Sequence, residues 1–135
     1  MRDDIILNKA AELSRCLSRI REEYIGHEQV FETEMRRQDS VVLNLTRACE
    51  TAIDLANHIV KTRKLGIPQT ARESFELLQG AEILSADLCQ RMKNMVGFRN
   101  IAIHSYARLN VQIIRSIVEH DLKDFEAFEG VVLGL

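Results

Sequence analysis

Arg99, His104 and Tyr106 stand close together near the C-terminal third of the chain. A guanidinium makes planar, bidentate contacts to phosphate or carboxylate and never gives up its proton. An imidazole takes or gives a proton near neutral pH. On an ideal helix Leu88, Met92, Met95, Arg99, Ala102 and Tyr106 fall within about 40° of one line. That places a permanent charge in the middle of an apolar stripe, where an unpaired charge is very costly. Arg99 must therefore pair with a carboxylate of a neighbouring helix, such as Asp54 or Glu50, or line a polar cleft. His104 lies five residues on, and a continuous helix separates the two side chains by roughly 140°. They converge only if the helix ends between them or if a second chain supplies one. Taken singly, His104 reads as a charge partner of a helix C-terminus and Tyr106 as an amphipathic residue at a helix end. The grouping favours a functional reading.

The periodicity of the rest of the chain is helical nearly everywhere. A first helix is predicted from about Asp3 to Tyr24, with Ile6, Leu13, Leu17, Ile20 and Tyr24 on one face. Gly26 and His27 end it, and a charged connector runs from Glu28 to Gln38. Asp39 or Ser40 is the expected N-cap of a second helix reaching about Lys64. Its stripe is Val42, Leu45, Cys49, Ala52, Ile53, Ala56, Ile59 and Val60. Gly66-Ile67-Pro68 breaks the chain. Thr70-Ala71-Arg72-Glu73 is a capping box for a short third helix that stops at Gly80. Ser85 caps a fourth helix ending near His104. Asn110 caps a fifth, carrying Val111, Ile114, Ile117, Val118, Leu122, Phe125 and Phe128. No strand pattern survives. The expected fold is all-α, an antiparallel up-and-down bundle of four to five helices in one domain over residues 1–135. The apolar tail Val131–Leu135 is left to pack on the bundle or on a partner.

Composition narrows the function classes. The chain has 135 residues, 46% of them hydrophobic, enough for one core. A net charge of −2 excludes a strongly basic nucleic-acid binder, although not an enzyme that touches a few phosphates. The 13 Arg against 5 Lys are weak evidence for planar contacts to phosphate or carboxylate. With no Trp and few aromatics, stacking platforms for single strands are not expected. Cys16, Cys49 and Cys89 form no CxxC pair, so neither a zinc site nor a redox motif is expected, and they suit a reducing, cytoplasmic compartment. No apolar run approaches the ~18 residues of a membrane span. Met1-Arg2-Asp3-Asp4 turns acidic too early for a signal peptide. Asp54, Asn57 and His58 share a face of the second helix and read as a solvated polar surface. The sharper alternative is a set that holds Arg99. His58 and Asp54 lack a third ligand for a metal.

Arg99-Asn100-Ile101-Ala102-Ile103-His104-Ser105-Tyr106 spells R-x4-H-x-Y. It resembles the signature of the HEPN superfamily, and specifically of the HepT toxins. The segments Gln38–Leu45, Ile53–Ile59 and Leu65-Gly66-Ile67-Pro68 look like HepT landmarks in the same order, so the resemblance covers nearly the whole chain. It implies an all-helical, homodimeric, metal-independent endoribonuclease with no cofactor, the toxin of a toxin–antitoxin pair. It implies catalysis by Arg99 and His104 of both chains in one cleft, with Asn100 supporting. It also implies a minimal nucleotidyltransferase antitoxin as partner, transferring AMP to Tyr106. The chemistry agrees: His serves as base or acid toward a 2′-OH, and Arg holds the crowded phosphate. Two other classes stay open at this point. One is a non-catalytic helical module that docks or presents substrate to a nucleotidyltransferase. The other is a structural adaptor, which leaves Arg99 without a role.

Overall fold

The computed structural model describes residues 3–135; the part of the N-terminal reading that rests on Met1 and Arg2 lies outside the described residues. Side-chain caps start four of the helices. Asp3 accepts from the backbone N–H of Ile5 at 3.0 Å and of Ile6 at 3.2 Å, opening α1, Asp4–Tyr24. Thr70 accepts from the Glu73 N–H at 3.1 Å, opening α3, Ala71–Gly80. The Glu73 carboxylate in turn accepts from the Gln69 N–H at 2.7 Å, one residue before the cap. Ser85 opens α4, Ala86–His104, and Asn110 opens α5, Val111–His120, each accepting from the N–H three residues on. Each cap satisfies donors that the first turn leaves without a helical partner.

Two boundaries differ from the sequence reading. The second helix, α2, spans Met35–Thr62 and so begins before Asp39 and Ser40. The connector before it is not merely a charged strand of chain. Phe31 is fully buried, its ring edge-on to Tyr24 at 5.0 Å. The Gln38 side-chain amide donates to the carbonyls of Phe31 at 2.9 Å and Glu32 at 3.1 Å. These contacts hold the turn against α2 and start the helix early, with Glu34 at the cap position making no cap bond. The expected fifth helix is two: α5 stops at His120, and α6 runs Leu122–Leu133. The break at Asp121 lets Ile117 and Val118 on one segment, and Phe125 and Phe128 on the next, all reach the core. Among the described residues the bundle therefore has six α-helices and no strand.

α2 is the central element, in contact with α1, α3, α4, α5 and α6. Phe31, Phe75, Phe125 and Phe128 are fully buried around it, each contributing roughly 1.5–3 kcal/mol of apolar burial. α4 touches α2, α3 and α6, so it buries more than one stripe: Cys89, Val96 and Phe98 are covered together with Leu88, Met92, Met95 and Ala102. Val132 of the apolar tail packs into the core, whereas Leu133 and Leu135 are exposed. All three cysteines are free and buried. Among the described residues no helix is long and apolar enough to cross a membrane.

Candidate active site

Arg99 sits in the stripe that periodicity predicts, between the buried Met95 and Ala102. Its side chain, 21% exposed, pairs through Nη1 with Oε1 of Glu50 on α2 at 3.2 Å. Of the two candidate carboxylates Glu50 is the partner; Asp54 pairs with Lys9 of α1 at 3.3 Å. The pair is incomplete. Nε of Arg99 is buried and makes no hydrogen bond among the described residues. A guanidinium has five donors, so Arg99 keeps capacity for a planar anion.

α4 continues without a break through His104 and closes at Ser105, whose N–H bonds the Ile101 carbonyl at 2.8 Å. Arg99 and His104 of one chain therefore diverge by roughly 140° and do not form a pair. His104 is exposed, with no hydrogen bond or ion pair among the described residues. Asn100 is half-buried and its amide is likewise unbonded.

Tyr106 does not continue the α4 stripe. The chain turns at Ser105, φ −147° and ψ 46°, and Tyr106 opens a 3-10 turn to Arg108. There the residue is 48% exposed, and its hydroxyl donates to the Asp39 carboxylate on α2. That hydrogen bond first, then partial burial and the Asp39 charge, push the phenol up to about 12. The two residues line a depression of about 450 Å³ together with Val42, Leu43, Thr46, Ala102 and Ile103. Sequence reading assigned Asp39 to a helix cap. Its bond to a residue 67 positions away follows only from α4 packing beside α2.

Asp54, Asn57 and His58 reach away from Arg99. Asn57 accepts from the Ser74 hydroxyl, and His58 Nε2 lies 2.7 Å from Asp3 Oδ2. They tie α2 to α3 and to the head of α1. The hydrogen bond to His58 holds the Asp3 carboxyl below its usual range. Among the described residues no group of three His, Cys, Asp or Glu is placed to hold a metal ion.

Residues 13–130 match the ribonuclease HepT-like family. The chain belongs to that family. It is 47% identical over 130 residues to the mRNA nuclease HepT of Shewanella oneidensis, covering 96% of this chain and 97% of that protein. A solved structure of the tri-AMPylated Shewanella oneidensis HEPN toxin in complex with MNT antitoxin superposes with a TM-score of 0.94 at 46% identity, over 99% of this chain and 100% of that one. A toxin–antitoxin crystal structure with AMP-PNP gives 0.94 at 45% identity, over 98% and 100%.

Proposed function

We propose that the chain is a metal-independent endoribonuclease, the toxin of a toxin–antitoxin pair. It acts as a homodimer in which Arg99 and His104 of both copies share one cleft. A nucleotidyltransferase antitoxin silences it by transferring AMP to Tyr106. The observation that carries the nuclease reading is on α4: a half-paired Arg99 with an idle buried Nε, and an exposed, unbonded His104, on one unbroken helix that turns them apart. A second copy, related by a two-fold axis, brings an Arg and a His of different chains together. Leu43, Ile101, Ile103 and Tyr106 are large exposed apolar side chains around the motif, a surface suited to such a contact. The name of the Shewanella relative supports RNA as substrate, and the AMPylated state of its toxin supports Tyr106, half-exposed at the motif's end, as acceptor.

In this cleft one His104 removes the proton of a ribose 2′-OH, whose oxygen attacks the adjacent phosphorus. The second His104 protonates the departing 5′ oxygen. The Arg99 guanidinium groups neutralise charge on the crowded phosphate, and Asn100 supports its placement. The products are a 2′,3′-cyclic phosphate and a 5′-hydroxyl. The purified chain should cleave RNA in excess EDTA. Arg99→Ala and His104→Ala should each lower the rate roughly 10²–10⁴-fold with helicity retained. Full activity of His104→Ala, or strict dependence on added magnesium, contradicts this mechanism. Absence of cleavage by the native chain returns the accessory-module reading.

A further inference from the structure

We propose that Asp39 is a catalytic residue of AMP transfer: the toxin itself supplies the base that takes the proton from the Tyr106 hydroxyl. The inference rests on the reading of Tyr106 as AMP acceptor. The hydroxyl already donates to the Asp39 carboxylate, so the proton that must leave points at a group able to receive it. Among the described residues no other charged side chain bonds this hydroxyl. The rest of the depression is Val42, Leu43, Thr46, Ala102 and Ile103. Of the titratable groups nearest in sequence, Arg37 bonds Glu34 and Glu23, and Arg36, His104 and Arg108 make no bond to either side chain. The phenol is held in its neutral form, so at neutral pH the attacking species is the hydroxyl and not a phenolate, and a base is required.

The step balances as follows. Oη of Tyr106 attacks the α-phosphorus of an ATP carried by the partner enzyme. The new phosphorus–Oη bond forms as the bond from the α-phosphorus to the bridging oxygen breaks. Pyrophosphate leaves with that electron pair, and the phenolic proton passes to Asp39 and then to solvent. A carboxylate suffices as base, as in protein kinases, where a catalytic-loop aspartate accepts the proton of the attacking substrate hydroxyl. Asp39 stands on α2 and Tyr106 beyond α4, so the alignment is preformed by the packing of the two helices.

The test uses the native chain and variants with the partner nucleotidyltransferase, magnesium and ATP labelled at the α-phosphate. Initial rates are taken across pH 4–9 and the modified residue is located by peptide mass. Asp39→Asn keeps a carbonyl oxygen to accept the tyrosine's hydrogen bond but cannot take the proton. It should slow transfer roughly 10²–10⁴-fold. Formate should restore part of the rate to Asp39→Ala, and Asp39→Glu should retain much of it. Both also carry the test if Asp39→Asn folds poorly. Transfer to Asp39→Asn within threefold of the native rate overturns the base role. Absence of label on Tyr106 in the native chain overturns the acceptor reading beneath it, and shows before any substitution at Asp39.

Discussion

Arg99→Met should make the fold more stable while abolishing cleavage. The Nε of Arg99 is buried without a partner, and an unsatisfied buried donor costs about 1–3 kcal/mol. Against that stands the 3.2 Å pair with Glu50, whose carboxylate is 45% exposed, a contact worth about 0–1 kcal/mol. Methionine keeps an unbranched stem among Met92, Met95 and Ala102 and brings no polar group. The balance favours the variant by about 1–2 kcal/mol. At ~2.1 cal/mol/K per residue, 135 residues give an unfolding entropy near ~280 cal/mol/K, so the melting temperature should rise by roughly 3–7 °C. Calorimetry at one fixed protein concentration reads this, because any association of folded chains couples stability to concentration. The same preparation is assayed for RNA cleavage. A melting temperature lowered by about 3 °C or more refutes the reasoning: it shows Arg99–Glu50 to be a pair the fold needs rather than a strained functional group.

Three further outcomes follow from the charged and polar groups. Both phenols are held at about 12, Tyr24 chiefly by burial and Tyr106 chiefly by its bond to Asp39; ultraviolet titration should show little phenolate at pH 10, where free tyrosine is half ionised. Since the folded value lies above the unfolded one, this stabilisation is complete below about pH 10 and lost as pH rises toward 12; a transition centred at pH 10 contradicts it. Asp3 is shifted the other way, so its contribution is present above the ordinary carboxylate range and lost as pH falls through the lowered value. His58→Ala should weaken that acid dependence and speed hydrogen exchange at Ile5 and Ile6, and an unchanged acid profile rejects the link. Burial raises all three thiols, Cys49 to about 12, so the native chain should resist a disulfide reagent that labels every cysteine after unfolding; rapid native labelling contradicts the burial.

Much of this was legible in the sequence because the cues are local. Thr70, Ser85 and Asn110 cap helices where residue type and the following turn predict them. The α4 stripe follows from spacing alone, and with it the conflict at Arg99. What escaped depends on contacts between distant segments. Phe31 lies in a charged connector that offers no period, and only its burial beside Tyr24 explains the early start of α2. The break at Asp121 carries neither glycine nor proline, so an unbroken apolar period hid two helices. Asp39 has a good cap's chemistry but faces Tyr106 across the bundle. The choice of Glu50 over Asp54 was likewise a matter of packing, since both lie on α2 and Lys9 of α1 engages the second.

The central claim, one cleft assembled from two chains, is tested most directly by a mixed dimer. One Arg99→Ala chain and one His104→Ala chain carry different affinity tags, and the heterodimer is isolated through both. It retains a single Arg99 and a single His104, on different copies. With RNA in excess EDTA, this heterodimer should cleave faster than either variant homodimer but well below the native dimer, because it holds one cross-chain Arg99–His104 pair and lacks the second His104 that protonates the departing oxygen. A heterodimer no more active than the variant homodimers, tested beside an active native dimer, contradicts the account.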